Sequence, residues 1–210
     1  MTTPSDTLPP VLIIPGLRDA STEHWQWHLE QSLRPHRQVH AIPALGKDDL
    51  RCQARVEQIT AAIESVGQAC IAVAHSGGCI ALVHWAMQAW PSLQYHLRPA
   101  AAILAAPPDF ETPLPDGYPT LDALSSHDWL PVPMTRLPFP TVVLSSTNDP
   151  LARIDRVEEM AGRWGAQIHP LGPVGHLNPA SGFGLWPQAP QLIDALARGL
   201  MDNADMNDAN

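Results

Sequence analysis

The sequence predicts a three-layer α/β/α sandwich built on a mainly parallel six-stranded sheet. Three observations carry that expectation. Short continuous apolar runs such as Val11-Leu12-Ile13-Ile14 and Cys70-Ile71-Ala72-Val73-Ala74 are the signature of strands buried on both faces. Segments with helical spacing alternate with these runs, as crossover helices do between parallel strands. The 210-residue chain is 45% hydrophobic and only 16% charged, enough to cover both faces of one sheet in one domain.

The elements follow in order. Val11 to Ile14 is the first strand and stops at Pro15-Gly16. Thr22 to Leu33 has helical composition and ends before Pro35, and Gln38 to Ile42 is a second strand closed by Pro43. Asp48 and Asp49 are placed to cap a helix in which Val56, Ile59, Ile63 and Val66 recur at helical spacing until Gly67. Cys70 to Ala74 is the third strand, and Gly77 to Trp90 is so apolar that its helix must be buried on several sides. Ala100 to Ala106 and Thr141 to Ser146 are the fourth and fifth strands. Ile154, Val157, Ala161 and Trp164 mark a helix ended by Gly165. Gln167 to Leu171 is the sixth strand, and Leu192, Ile193, Leu196 and Leu200 belong to a closing helix. Residues 8–200 are thus expected to form one domain, followed by a polar, acidic, frayed tail over 201–210. One segment breaks the rhythm: residues 107–140 hold nine of the 23 prolines and no clear strand, which suggests a short, semi-rigid flap.

Composition excludes several function classes. A formal net charge of −9 lacks the basic footprint that a nucleic acid or an anionic membrane surface requires. No apolar run approaches the ~20 residues of a membrane span, and Met1 to Pro10 has neither a cationic start nor a signal-peptide core. Cys52, Cys70 and Cys79 are odd in number and show no metal-ligand spacing. The expectation is a cytoplasmic protein with no metal, no organic cofactor and no membrane contact; nothing in the sequence names a protein partner.

Chemistry is concentrated at the end of the third strand. Ala74-His75-Ser76-Gly77-Gly78 runs from strand to helix with a serine at the apex, a G-x-S-x-G nucleophile elbow whose first glycine is replaced by alanine. Small flanking residues suit the turn because larger ones would collide with the neighbouring strand or helix. The elbow aims the Gly77 N–H and the positive end of the helix at an oxyanion formed beside Ser76. A tight turn that serves packing alone has the same glycines; a dinucleotide-binding turn would need G-x-G-x-x-G, which is absent.

Partners follow in the order serine, acid, histidine. The fifth strand delivers Asp149 in Thr147-Asn148-Asp149-Pro150, and the sixth delivers His176 in Gly175-His176-Leu177-Asn178. His176 could take the Ser76 proton while Asp149 fixes its tautomer and stabilises the imidazolium. Asp149-Pro150 also fits an ordinary turn and helix cap. Asp109, just after the fourth strand, is a rival acid. A second oxyanion donor should come from Pro15-Gly16-Leu17-Arg18-Asp19, with the Leu17 N–H as the candidate.

These residues resemble the α/β-hydrolase superfamily, and more narrowly its small serine hydrolases of the YdeN and retinoblastoma-binding protein 9 type. The resemblance spans most of the chain. It rests on Ile14-Pro15-Gly16, His24-Trp25-Gln26, the elbow, Asp149-Pro150, Gly175-His176-Leu177-Asn178 and Ser181-Gly182-Phe183-Gly184-Leu185-Trp186-Pro187. It implies a compact α/β-hydrolase fold without a full cap domain and a strand order of 2-1-3-4-5-6. It also implies a Ser-His-Asp hydrolase that cleaves a small ester, thioester or amide through an acyl-enzyme, carboxylesterase-like with peptidase or thioesterase activity open. An acyltransferase, or a protein-interaction module with little turnover, is the alternative. The retinoblastoma-type partner of the human relative does not carry over, because no L-x-C-x-E motif is present. For the pocket, His24, Trp25, Trp129 and Trp186 are the expected lining residues, as aromatics near one sheet edge favour an apolar group. Trp85, Trp90 and Trp164 are expected to pack helices, and His75 to be structural.

Overall fold

A computed structural model describes the backbone of residues 8–18 and 21–207 and the side chains of 8–18 and 21–199. Its sheet has six strands: β1 (Val11–Ile14), β2 (Val39–Ala41), β3 (Ile71–His75), β4 (Ala101–Ala105), β5 (Thr141–Ser145) and β6 (Gln167–Pro170). Every adjacent pair is parallel, and the order is β2-β1-β3-β4-β5-β6, as the resemblance implies. The helices are α1 (Trp25–Leu33), α2 (Cys52–Val66), α3 (Gly77–Gln88), α4 (Leu121–Ser126), α5 (Ile154–Trp164) and α6 (Ala189–Asn207).

Strand alternation divides the core into two. Leu12, Ile14, Ala72, Ala74, Ala102, Leu104 and Val143 face α2, α3 and α5. Val11, Ile13, Ile71, Val73, Ile103, Ala105 and Leu144 face α1 and α6. The central strands β1, β3 and β4 are buried throughout, which is why they read as unbroken apolar runs. β6 is exposed at every position; it is an edge strand, short and ended by proline.

Three expectations change. The second helix is not capped by an aspartate: Asp49 Oδ1 accepts from the Arg51 N–H at 3.2 Å and Asp48 pairs with Lys47. The Cys52 N–H instead donates to the His127 carbonyl at 3.1 Å. The proline-rich segment, expected as a short, semi-rigid flap, is anchored at many points, since Phe110, Leu124, Trp129, Val132, Leu137 and Phe139 all join the core beside α3. It carries α4 and, among the described residues, no strand. Finally, α6 continues to Asn207, into the stretch expected to fray, while 208–210 and residues 1–7 lie outside the described residues. No helix of the described residues is long and apolar enough to cross a membrane.

Candidate active site

Ser76 sits between β3 and α3 with φ 54° and ψ −130°, a conformation that costs a non-glycine residue roughly 1–3 kcal/mol. A serine at a helix N-cap ordinarily turns its hydroxyl to the helix amides. Here Ser76 makes no capping bond, and its Oγ lies 2.7 Å from His176 Nε2. The elbow is held from behind, because the Ser76 N–H donates to the Ala105 carbonyl at 3.0 Å and ties it to β4.

His176 Nδ1 lies 2.8 Å and 3.0 Å from the two oxygens of Asp149. The His176 and Asp149 side chains are almost fully buried, at 4% and 3% exposure. With Nδ1–H directed to the carboxylate, Nε2 is left to accept the Ser76 proton. The two loops are joined to one another: Asn148 Oδ1 accepts from the Gly175 N–H at 2.7 Å and from Ser146 Oγ at 3.0 Å. Asp149 Oδ1 also accepts from the Leu151 N–H at 2.8 Å, so the Asp-Pro turn and the histidine contact coexist. The His176 N–H donates to Ser181 Oγ at 3.0 Å, and Asn178 Oδ1 holds that serine.

Asp109, the rival acid, is occupied elsewhere. It accepts from Thr112 Oγ1 at 3.0 Å and from Arg156 Nε at 3.4 Å. It makes no contact with His176 among the described residues.

Gly16 and Leu17 close over the elbow. A Cβ built on Gly16 would lie 3.1 Å from Ser76 Cβ, and one on Gly77 would lie 2.6 Å from Leu17 Cγ. Neither the Leu17 nor the Gly77 N–H has an acceptor among the described residues, which leaves both available to a ligand beside Ser76. Asp19, the end of this loop, lies outside the described residues. Gln26 braces the two strands: its Nε2 donates to the Ile14 carbonyl at 3.0 Å and the Val73 carbonyl at 3.2 Å.

Behind the serine lie two more histidines. His75 Nε2 donates to the His176 carbonyl at 2.9 Å, and its ring meets His24 edge-on with centroids 4.8 Å apart. Burial, and then the nearby His176, push the His75 pKa well below its usual value and lower that of His24 to about 4. Both are therefore neutral at physiological pH. His24 Nδ1 accepts the Gln26 N–H at 3.2 Å and caps α1, so the helix begins at Trp25 and not at Thr22.

A cavity of about 430 Å³ opens over Ser76 and His176. Of the expected lining residues only His24 reaches it. Trp129 is wholly buried, with Nε1 donating to the Leu50 carbonyl at 2.6 Å and its ring edge-on to Phe110. Trp25 is buried on the α1 side of the sheet, where it packs edge-on against Trp186 at 5.3 Å. Trp25 and Trp129 are core residues and Trp186 packs, half-buried, against that core, so none of the three is left over for the mouth. The walls come instead from Leu17, Leu50, Phe110, Tyr118 and Leu151, with Arg18, Lys47 and Asn178 adding polar groups. Phe110 and Tyr118 belong to the proline-rich segment, whose position just after β4 was the one sequence signal for them.

A family model described as "Serine hydrolase" matches residues 11–195. Among solved structures, a YdeN-like hydrolase from Pectobacterium atrosepticum is 26% identical over 91% of each chain, with a TM-score of 0.73. The ydeN gene product of B. subtilis is 19% identical, covers 90% of this chain and 98% of its own, and has a TM-score of 0.67. Est1E from Butyrivibrio proteoclasticus shares the fold at 11% identity, with coverage of 96% and 90% and a TM-score of 0.66. No curated protein sequence matches.

Proposed function

Since the chain belongs to the serine hydrolase family, we propose that it cleaves a small ester, thioester or amide with Ser76 as nucleophile, His176 as general base and acid, and Asp149 as the orienting carboxylate. The observation that carries this reading is the unbroken Ser76–His176–Asp149 hydrogen-bond chain, with links of 2.7 and 2.8 Å, at the floor of the cavity.

Ser76 Oγ attacks the carbonyl carbon as its proton passes to His176 Nε2. The carbonyl oxygen becomes an oxyanion that the Leu17 and Gly77 N–H groups and the α3 N-terminus would stabilise. Collapse expels the leaving group, which takes the proton from His176, and an acyl-enzyme remains. Water then repeats the sequence and releases the acid. The carboxylesterase-like character is supported by the mainly apolar cavity walls.

A fluorophosphonate probe tests the assignment. Labelling is expected in the wild type and absent in Ser76→Ala; equal labelling of both would refute it.

A further inference from the structure

Of the 12 lysines and arginines in this acidic chain, two line the cavity: Arg18 and Lys47, the latter the single lysine of the sequence. Arg18 directly follows Leu17 on the candidate oxyanion loop. A Cβ on Gly16 would lie 3.5 Å from Ser76 Oγ, so the Arg18 backbone, two residues on at ~3.8 Å each, starts within ~13 Å of the nucleophile. The guanidinium is held from the facing segment. Nη2 donates to the Gly117 carbonyl at 2.7 Å, and the group lies 4.1 Å from the Tyr118 ring centroid. One of five N–H donors is used by this clasp, and no carboxylate among the described residues pairs with Arg18.

Acceptors are scarce on the same wall. Among the described residues lining the cavity, Asp48 is the one carboxylate, and it is paired with Lys47 at 2.8 Å. Asp149 is turned to His176. His24 adds another donor: its Nδ1 accepts from Gln26, which puts the proton on Nε2, and that N–H has no acceptor among the described residues.

We infer that the substrate is anionic, an ester or amide carrying a carboxylate that pairs with Arg18 while the scissile carbonyl sits at Ser76. The inference rests on the hydrolase reading of Ser76. A preordered guanidinium suits a carboxylate because the fork matches its two oxygens and the side chain loses little further freedom on binding. With a formal charge of −9 on the chain, an anion needs such a local cation to be drawn into the cleft.

Two substrate pairs test this. The first is 4-nitrophenyl hemiadipate against its methyl ester, which places the carboxylate on the acyl side. The second is 3-carboxy-4-nitrophenyl butyrate against 4-nitrophenyl butyrate, which places it on the leaving group. In at least one pair the carboxylate form should be favoured about 10- to 100-fold in kcat/KM. That ratio should collapse toward one in Arg18→Gln, be partly kept in Arg18→Lys, and fall as salt rises. Fluorophosphonate labelling of each variant confirms an intact site. Preference for the neutral ester in both pairs, or a ratio that survives Arg18→Gln, overturns the inference. Failure of the hydrolase reading looks different, since then none of the four esters is turned over, or turnover persists in Ser76→Ala.

Discussion

Gly78 offers a sharp test of how the oxyanion loop and the elbow are fitted together. It is the second residue of α3, and a Cβ placed there would overlap the Pro15 carbonyl oxygen and stand 3.0 Å from both the Ile14 oxygen and the Pro15 carbonyl carbon. All three are backbone atoms, so no rotamer change relieves the contact. Restoring an ordinary carbon–oxygen separation of about 3.3 Å requires the Pro15–Leu17 backbone to retreat by about 1 Å. Overpacking of this kind costs roughly 1–3 kcal/mol. The gain in helix propensity from Gly to Ala returns up to about 1 kcal/mol, leaving a net loss of about 1–2 kcal/mol. Retreat of about 1 Å would also take the Leu17 N–H away from the proposed oxyanion position, an effect of about 10²-fold on turnover. Gly78→Ala should therefore melt about 2–8 °C lower and lose about 10²-fold in kcat on 4-nitrophenyl acetate. Gly77→Ala is a contrast for stability only, because its Cβ meets side-chain atoms of Leu17, the nearest at 2.6 Å, and no backbone atom has to retreat. A Gly78→Ala protein with wild-type melting temperature and kcat would refute the reasoning.

Other outcomes follow from the same contacts. Asp149→Asn should lower kcat by about 10²–10⁴-fold with little change in KM, whereas Asp109→Asn should lose stability through its Arg156 contact and keep kcat; steady-state kinetics on both variants separates the two acids. His75→Phe leaves the buried His176 carbonyl without its donor, costing about 1–3 kcal/mol, and should lower kcat more than it alters KM; urea melts and kinetics read the two effects. Folded His24 protonates near 4 while the unfolded chain takes up that proton near the usual 6.5, so the stability it contributes is complete above about 6.5 and is lost as pH falls toward 4. At pH 5 the loss from His24 should be about 2 kcal/mol, with His75 acting in the same direction; a urea midpoint that stays constant between pH 7 and pH 5 would contradict this.

The sheet was legible because its central strands are buried on both faces and so carry apolar runs that need no periodic pattern, as in Val11 to Ile14. The candidate triad was legible for a related reason. A parallel sheet sends the ends of β3, β5 and β6 to one edge, and each end carries a residue with the needed chemistry. His176 accordingly meets Ser76 across 100 residues of chain and Asp149 across 27. Trp25, Trp129 and Trp186 were not legible, because a lone aromatic in a loop or at a helix start does not say which sheet face it will cover, whereas Trp85, Trp90 and Trp164 pack as their helical positions imply. Trp129 and Trp186 ended on opposite sides of the sheet, and neither reached the cavity. The start of α2 depended on a partner distant in sequence, the His127 carbonyl that receives the Cys52 N–H. Arg18 and Tyr118, which meet across 100 residues, left no local trace of their contact.

The most direct measurement is a quenched reaction of the wild-type protein with 4-nitrophenyl acetate, followed by peptide mass mapping. An acetyl group on Ser76, formed in a burst of one 4-nitrophenolate per chain and lost in Ser76→Ala and slowed in His176→Ala, is the expected result. Steady turnover with no adduct on Ser76, and undiminished in Ser76→Ala, would contradict the assignment of this serine as the nucleophile.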